Sequence, residues 1–238
     1  MNSPYGLPCA ESCLTCKLRS DLFFCAFSQK SLDAFDRIKH ATVFPEDATI
    51  FMEGQTPRGI FVLCQGQAKL STTSREGKTF ILRIAKPGEV LGLHAVVTSK
   101  AYELTVETMQ PCQLDFVQHD DFMRFLRDHG DASLRAAQQV SRDCREAYDV
   151  IRSIGLSHSV SARVAKFLLA STAEDTSKNG SVHTRLALTH EELAQLIGTS
   201  RESISRTLAE FKRQCILELK GSTLTIHDRP ALVQLGAA

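Results

Sequence analysis

Short apolar runs separated by glycines fill the chain from Ala41 to about Asp115. The runs are rich in β-branched and aromatic residues and read, in order, ATIFMEG, GIFVLCQG, QAKLSTTS, KTFILRIA, LTVETMQP and CQLDFV. The glycines that interrupt them are Gly54, Gly59, Gly66, Gly77, Gly88 and Gly92. Brief strands with glycine turns are typical of an antiparallel sandwich or barrel, and this part of the chain is predicted to fold as one.

Helical spacing of apolar residues appears on both sides of this region. Residues 28–40 (SQKSLDAFDRIKH) carry apolar residues on one face and predict a short helix. From about 132 to 157, apolar residues recur in the a/d pattern of a coiled coil, at Ala137, Val140, Cys144, Ala147, Ile151 and Ile154. The charged residues that flank this seam are Asp143, Arg145, Asp149 and Arg152. Alanine and cysteine in the seam predict a marginal dimer, and a helix packed on its own domain is the alternative.

Two helix starts lie close together in the C-terminal part of the chain. The tetrapeptides THEE at 189–192 and TSRE at 199–202 both have the form of a capping box. Gly198 lies between them, where a left-handed residue turns the chain at little cost. A helix around 160–173 and the polar break EDTSKNGS precede this motif, and the runs LELKG and STLTIHD follow it as a wing. The pattern predicts a helix-turn-helix whose second helix reads DNA.

The start of that second helix carries side chains with the chemistry for reading base pairs. Those expected to be exposed are Ser200, Arg201, Glu202, Ser205 and Arg206. Arginine pairs bidentately with guanine, and glutamate accepts a hydrogen bond from cytosine N4. Lys212 and Arg213 lie farther along, where DNA phosphates are the expected targets. Two capped helix starts around one glycine argue against the alternative, that these are solvated charges on an ordinary helix.

Composition restricts the class of protein without naming a partner. The 238 residues are 43% hydrophobic and 23% charged, with a net charge of +1. No basic and then apolar leader begins the chain, and no apolar run approaches the roughly 18–20 residues that span a membrane. A cytoplasmic location and no membrane partner are therefore expected. Without a nucleophile motif, a phosphate-binding glycine loop or an HExxH motif, enzymatic activity is not predicted.

Four of the eight cysteines lie in the segment CAESCLTCKLRSDLFFC, at Cys9, Cys13, Cys16 and Cys25. In a reducing compartment, clustered cysteines bind metal or sense redox state more often than they form permanent disulfides. An iron–sulfur cluster, a zinc site with four thiolates and a thiol–disulfide switch are all open from the residues alone. The cysteines in apolar patterned segments are expected to be small buried hydrophobic residues, and these are Cys64, Cys144 and Cys215.

Glycine-punctuated strands, a long helix and a winged helix-turn-helix reading SRESISRTL resemble the CRP/FNR family of bacterial transcription regulators. The resemblance covers nearly the whole chain. It implies an α+β protein with an antiparallel β-roll (jelly-roll) sensor domain of the cyclic-nucleotide-binding type, a dimerisation helix and a winged helix-turn-helix. The implied boundaries are 1–27 for a cysteine-rich segment, 28–130 for the sensor domain, 131–157 for the dimerisation helix and 158–238 for the DNA-binding domain.

The family resemblance also implies partners. These are a second copy of the chain, a palindromic site on double-stranded DNA, and RNA polymerase. Glu202, Ser205 and Arg206 match the E-x-x-S-R recognition motif of the FNR branch, and Arg201 matches an additional arginine of the CRP branch. The implied half-site has a TGA core. Arg206 is expected to read the guanine, Glu202 a cytosine and Ser205 the flanking thymine.

The resemblance bears on the signal as well. The CRP branch binds cyclic AMP through a Gly-Glu pair and a later Arg-Ser pair. This chain has Gly92-Leu93-His94 at the first position and SKAYELTVE, without Arg-Ser, at the second. A cyclic phosphodiester needs a guanidinium or several donors, and Lys100 is the only nearby cation in the sequence, so cyclic nucleotide binding is not expected.

The FNR branch instead carries a [4Fe–4S] cluster held by three N-terminal cysteines and one later cysteine. Matching that pattern assigns Cys13, Cys16, Cys25 and Cys112 as metal ligands, because VETMQPCQLDF resembles the segment of the late ligand. Cys9 is then spare, although it replaces Cys112 in an alternative, all-N-terminal set. The implied function is a regulator whose dimerisation and promoter binding respond to oxygen, redox state or nitric oxide. A structural zinc, a thiol switch or another small effector is the alternative.

Overall fold

The computed structural model describes residues 4–7, 12–16, 24–156, 159–172, 182–186 and 188–237. The chain forms two compact units, Met1–Glu146 and Ala147–Ala238. Cys9 and the whole EDTSKNGS segment lie outside the described residues. Within the described residues, no helix is both long enough and apolar enough to cross a membrane.

The first unit is an antiparallel β-roll of two four-stranded sheets, as the glycine-punctuated pattern predicts. One sheet has the order β1-β8-β3-β6 and the other the order β2-β7-β4-β5. The strands are β1 (Lys39–Phe44), β2 (Thr49–Phe51), β3 (Gly59–Gln65), β4 (Ala68–Thr73), β5 (Thr79–Ala85), β6 (Val90–Leu91), β7 (Thr105–Thr108) and β8 (Cys112–Gln118). The six predicted runs match β2, β3, β4, β5, β7 and β8, whereas β1 and β6 were not predicted.

Two cores lie on opposite faces of the β1-β8-β3-β6 sheet. The inner core lies between the sheets and includes Leu63, Leu114 and Cys112. The outer core includes Val62 and Val117 and is covered by helices. Those helices are α1 (Gln29–Ile38), α2 (Leu93–Thr98), α3 (His119–Asp128) and the start of α4 (Gly130–Leu156). Side chains alternate between faces along a strand, so each residue of β3 and β8 belongs to one core or the other.

Helix α4 has two faces with different partners. Ala132, Ala136 and Gln139 are buried against the β-roll, and the Gln139 amide bonds Val90 through both its oxygen and its nitrogen. Asp143 belongs to the same face, because it binds Arg83 at 3.3 Å. Asp143, predicted to border the coiled-coil seam, therefore has its carboxylate partners on the roll.

The second unit is a winged helix-turn-helix with one apolar core. Its helices are α5 (Val160–Ser171), α6 (His190–Ile197), α7 (Arg201–Arg213) and α8 (Arg229–Ala237). Its strands β9 (Val182–Arg185), β10 (Leu217–Lys220) and β11 (Thr223–Ile226) form a sheet of order β10-β11-β9. The hairpin β10–β11 is the predicted wing, and β9 and α8 were not predicted.

Candidate functional sites

The turn between α6 and α7 is fixed by local hydrogen bonds that the sequence encodes. Thr189 and Glu192 make both bonds of a capping box at the start of α6. Gly198 ends α6 in the left-handed region at φ 72°, as its position predicts. From α5, the Arg163 side chain donates to the carbonyl of Ile197 at 3.1 Å and so satisfies the last turn of α6.

The second predicted capping box is wrong by one residue. The N-cap of α7 is Ser200, whose hydroxyl accepts from the N–H of Ser203 at 3.2 Å. Thr199 instead donates its backbone N–H to Ala194, which closes the end of α6. Ser200 therefore starts the helix, and Arg201 is its first residue.

The start of α7 presents a charged surface suited to DNA. Ile204, Leu208 and Phe211 are buried, so Arg201, Glu202 and Arg206 point outward and are exposed. Hydrogen bonds from the backbone N–H of Glu202 itself and from Ser200 lower the pKa of Glu202, and the nearby arginines add to the effect. Glu202 thus stays an acceptor between two guanidinium groups.

Ser205 and Lys212 differ in their surroundings. Ser205 is half-buried, and its hydroxyl lies 2.9 Å from Nδ1 of His190 at the start of α6. No sequence pattern predicts this contact, because it joins two different helices. Lys212 is exposed near the end of α7, whereas Arg213 forms an ion pair with Glu210. The start of α7 therefore carries side chains that can bond base edges, whereas its end carries the single positive charge of Lys212, which suits a phosphate.

The N-terminal cysteine segment is fixed to the β-roll at Cys13. Asp36 of α1 accepts from the Cys13 N–H at 2.6 Å and from the Ser12 hydroxyl at 2.9 Å. The Cys16 N–H donates to the Cys13 carbonyl at 3.4 Å, so these two cysteines share one turn. The Cys13 thiol reaches Asp115 of β8, with the sulfur 3.5 Å from Oδ2.

Three thiols meet around Asp115. Cys13 and Cys25 are buried in the outer core, and the Cys64 thiol donates to the Val62 carbonyl at 3.6 Å and lies near enough to Asp115 for that charge to raise its pKa. Cys25 lies near enough to both other thiols that a charge on its sulfur raises their pKa values. Lys39 binds the other oxygen of Asp115 at 3.2 Å, and both charged side chains are only 3% exposed. We call this set of Cys13, Cys25, Cys64, Asp115 and Lys39 the Asp115 site.

The environment of the Asp115 site keeps the Cys13 and Cys64 thiols protonated. Burial and the adjacent Asp115 charge raise the pKa of both Cys13 and Cys64. Burial opposes the charge of Lys39, but the Asp115 carboxylate outweighs it and raises the pKa of Lys39. Thiolates, not thiols, attack oxidants, so these buried cysteines are poor candidates for a simple thiol–disulfide switch.

Cys112 is not brought to the other predicted ligands. It is fully buried in the inner core, and its sulfur lies 3.1 Å from the Gln110 carbonyl and 3.3 Å from that of Gln67. Cys13, by contrast, forms a hydrogen bond with Asp115. Asp115 comes three residues after Cys112 in β8, so the two side chains point to opposite faces of the strand. In the part of the chain that the structure describes, no three His, Cys, Asp or Glu side chains form a ready-made metal site.

The remaining cysteines depart from the sequence expectation. Cys144 and Cys215 are exposed, and Cys64 is half-buried, so none of the three is the fully buried small residue expected. Cys215 follows the end of α7 with a left-handed φ of 57°, where its N–H donates to Lys212. Cys64 is the residue of the Asp115 site that sequence reasoning missed.

A hydrogen-bonded link joins the cysteine segment to the start of α4. Asp131, in the first turn of α4, accepts from the Ser28 N–H at 2.8 Å and from the Ser31 hydroxyl at 2.6 Å. Burial opposes these bonds, but they prevail and lower the pKa of Asp131 to about 2. Ser28 follows Cys25 by three residues, so the link begins beside the Asp115 site.

Paired charges lie near Gly92-Leu93-His94, the position at which the CRP branch has its Gly-Glu pair. Arg83 binds Glu89 and Asp143, and His94 lies 3.3 Å from the same Asp143 carboxylate. Lys100 is therefore not the only cation near Gly92-Leu93-His94, but the Arg83 guanidinium already has carboxylate partners. Gly92 is required here, since a Cβ atom would lie 2.6 Å from the Tyr102 ring.

Comparison with known proteins covers both units. A cyclic nucleotide-binding domain model matches residues 41–129, and a Crp-like helix-turn-helix model matches residues 162–235. The chain is 24% identical over 80% of its length to a CRP-like cAMP-activated global transcriptional regulator of Mycobacterium tuberculosis, covering 85% of that protein. It is 22% identical to an anaerobic regulatory protein of Pasteurella multocida, over 95% of this chain and 83% of that one.

Solved structures share the fold. The structure of FixK2 from Bradyrhizobium japonicum superposes with a TM-score of 0.73 at 20% identity, over 84% of this chain and 98% of that one. At this identity the likeness bears on the fold. The order of a β-roll, a long helix and a winged helix-turn-helix is therefore common to both proteins.

Proposed function

Because this chain belongs to the CRP/FNR family of transcription regulators, we propose that its DNA binding is controlled by an iron–sulfur cluster in the N-terminal cysteine segment. DNA binding itself follows from the Crp-like helix-turn-helix. The observation that carries the sensing proposal is the position of Cys13 and Cys25, which are buried together on the β-roll.

The recognition helix supports a defined mode of DNA reading. Arg206 reads the guanine of a TGA half-site, Glu202 accepts from a cytosine, and Ser205 contacts the flanking thymine. The contact between His190 and Ser205 orients the serine hydroxyl. Arg201 adds a further guanidinium at the entering tip, and it favours an additional guanine.

An exposed apolar stripe on α4 supports a homodimer. In the seam predicted from the sequence, Ala137, Cys144, Ile151 and Ile154 are exposed, whereas Val140 and Ala147 are half-buried. Leu134 and Tyr148 extend the stripe and are 59% and 56% exposed. A second copy of α4 covers this stripe and brings two recognition helices to inverted half-sites about one helical turn apart. The promoter-bound dimer acts on RNA polymerase.

The chemistry of the segment supports a cluster. Thiolates are the usual ligands of iron–sulfur centres, and Cys13, Cys16 and Cys25 fit that role as closely spaced donors. The match to an anaerobic regulatory protein covers 95% of this chain at 22% identity. The cysteine segment is longer than the part of the chain left outside this match, so the match extends into the segment. When bound, the cluster supplies sensitivity to oxygen or nitric oxide.

The residues of this chain carry the signal onward. Cys25 holds the segment in the outer core, and the Ser28–Asp131 bond ties the same segment to the first turn of α4. A change at Cys25 therefore alters how the start of α4 is held. Because α4 carries the dimer stripe, the cysteine segment biases dimerisation and, through it, DNA binding.

Anaerobic purification tests the proposal. We expect brown protein with iron and sulfide in equal amounts and broad absorbance near roughly 400 nm. DNA affinity, measured by fluorescence anisotropy, is expected to fall after exposure to air. Colourless protein containing zinc would replace the cluster with a structural zinc site. A sharp Soret band would indicate haem instead.

A further inference from the structure

An open cavity of about 640 Å³ lies in the β-roll, lined by residues of β1, β2, β3 and β8 and of the loops that follow β2 and α2. Pockets that hold small molecules measure roughly 300–1,000 Å³, so the cavity is of that size. The described residues that line it include neither Arg83 nor residues 92–94, so it is separate from the position at which the CRP branch has its Gly-Glu pair. We call it the Arg58 cleft, and it is defined by Phe51, Arg58, Phe61, Tyr102 and Phe116.

Four aromatic rings form the walls of the Arg58 cleft. Phe51 stacks on Tyr102 with ring centroids 3.8 Å apart, and Phe61 packs on Phe116 with centroids 5.0 Å apart. Phe51 and Phe61 are 6.0 Å apart and join the two pairs. Phe61 and Phe116 are half-buried, so part of their ring surface faces the cleft rather than the core. Ring surfaces that line a cavity favour a ligand with an aromatic ring of its own.

The rim of the cleft carries hydrogen-bond donors and a positive charge. Among the described residues that line it, Arg58 is the one charged side chain. Within the part of the chain that the structure describes, the Arg58 guanidinium has no carboxylate partner. The Gln55 amide oxygen accepts from the Met52 N–H at 3.1 Å, which leaves the amide N–H groups of Gln55 for another acceptor. The rim therefore suits the negatively charged end of a ligand.

Backbone hydrogen bonds hold the cleft in shape. The Tyr102 carbonyl accepts from the Gly54 N–H at 2.8 Å, and the Tyr102 N–H donates to the Gln55 carbonyl at 3.0 Å. The Arg58 carbonyl accepts from the His119 N–H at 2.9 Å, at the start of α3. The loop between β2 and β3 is thus bonded at both of its ends. A site that is formed before its ligand arrives loses little conformational entropy on binding.

We propose that the Arg58 cleft binds a small aromatic carboxylate, with its ring against Phe61 and Phe116 and its carboxylate on Arg58. A guanidinium pairs with a carboxylate through two parallel hydrogen bonds. A cyclic nucleotide matches this chemistry less well, since aromatic walls offer no partner for the oxygens of its sugar. No residue that defines the cleft belongs to the cysteine segment, so the inference goes beyond the proposed function and does not depend on it.

Binding of 2-naphthoate to the reduced, full-length protein tests the site. Isothermal titration calorimetry is expected to give a dissociation constant below about 1 mM, as a probe of this size can reach. The matched neutral probe is 2-naphthamide, which has the same rings without the charge. It is expected to bind at least about tenfold more weakly, because Arg58 then has no carboxylate to pair with.

Two variants test the geometry. Arg58→Gln removes the charge, and Thr42→Trp fills the cleft from an exposed position on β1. Each is expected to weaken 2-naphthoate binding at least about tenfold, and Arg58→Gln should bind the acid and the amide about equally. Arg75→Gln removes an exposed arginine elsewhere on the roll and should stay within about twofold of wild type. Thermal melting identifies a variant that has lost its fold.

Protection of the wild-type protein provides a test that needs no variant. Phenylglyoxal modifies accessible arginines, and mass spectrometry of peptides reports each site separately. We expect 2-naphthoate to slow the modification of Arg58 and to leave that of Arg75 unchanged.

Four results would overturn the inference. These are no binding of 2-naphthoate by wild type, equal affinity for 2-naphthamide, unchanged affinity in a folded Arg58→Gln variant, and no protection of Arg58 from phenylglyoxal. Displacement of 2-naphthoate by cyclic AMP at lower concentrations than 2-naphthoate itself would also overturn it, because the cleft would then take a cyclic nucleotide. The iron and sulfide contents of the same protein report on the proposed cluster separately.

Discussion

Lys39 and Asp115 bring opposite charges into the outer core, where each depends on the other. Their side chains are 3% exposed, and the Asp115 carboxylate also accepts from Cys13. Removing one partner of such a pair leaves a charge that has lost its water and its counter-ion. The pair is therefore a sensitive point of the fold.

Asp115→Asn is expected to lower the free energy of unfolding by about 3–5 kcal/mol, because Lys39 loses the Asp115 charge. Urea denaturation of metal-free protein measures the change. The double variant Lys39→Met with Asp115→Asn serves as control and should recover much of the loss. A single-variant effect below about 1 kcal/mol, the size typical of a surface pair, would contradict the prediction.

Arg206 and Lys212 separate base reading from phosphate binding on one helix. Arg206→Ala is expected to cost about 1–3 kcal/mol at the preferred site and to flatten the preference at its base pair. Lys212→Ala should weaken binding to all DNA sequences alike. It should also reduce the slope of log affinity against log salt concentration by about one. Binding-site selection with wild type and both variants measures this, and an unchanged motif at full affinity in Arg206→Ala would refute the assignment.

At the level of elements, helix caps and ion pairs set where each helix begins and what it packs on. Ser200 starts α7, and the pairs of Asp143 with Arg83 and with His94 hold α4 against the roll. The Ser200 cap is local, because it joins residues within one helical turn. The contact of His94 with Asp143 joins residues about fifty positions apart in the sequence.

Ser200→Ala is expected to destabilise the protein by about 1 kcal/mol, since the N-cap hydroxyl of α7 is lost. Thr199→Ala is the matched control and should have little effect, because Thr199 contributes its backbone N–H to the end of α6. Chemical denaturation of both variants decides between the two caps. A larger loss in Thr199→Ala would restore the capping box expected from the sequence.

His94 should make the docking of α4 depend on pH. The Asp143 hydrogen bond and charge raise the pKa of His94 above 6.5, against partial burial and the Arg83 charge. A raised folded-state pKa gives stability that is fully present below about pH 6.5 and is lost as pH rises through the folded value. His94→Gln should therefore cost more stability at about pH 5.5 than at about pH 9. If the melting temperatures of wild type and His94→Gln differ by the same amount at both pH values, the prediction is contradicted.

At the level of the whole molecule, the exposed stripe on α4 determines assembly. Ile151 and Leu156 are 64% and 72% exposed, and apolar side chains of this size favour burial against a partner. Alanine and cysteine elsewhere in the seam limit the area that a second copy can bury. The dimer is therefore expected to be marginal and responsive to the state of the cysteine segment.

Ile151→Glu is expected to shift the cluster-loaded protein from dimer to monomer and to weaken binding to a palindrome more than to a half-site. Sedimentation velocity of loaded and air-exposed protein measures the association. Gln138→Glu, an exposed change outside the seam, is the control. An identical tight dimer in both states of the wild type would remove dimerisation as the control step.

Sequence patterns predicted most of the elements because the forces that form them are local. Six strands, the long helix and the α6–turn–α7 unit follow from side-chain alternation, a/d spacing, the Thr189 cap and Gly198. The elements that were missed, β1, β6, β9, α2, α3 and α8, are short or have weak patterns. They form where the rest of the fold provides a surface for them.

The sequence by itself determined the family, the order of β-roll, long helix and helix-turn-helix, and the side chains that α7 presents, since the patterns behind them are local. Only the tertiary structure decided which thiols meet. Cys13 reaches Asp115 on the helix-covered face of β8, whereas Cys112, three residues away on the same strand, points into the inner core. The face of a strand depends on pairing across the sheet, which no local spacing of cysteines encodes.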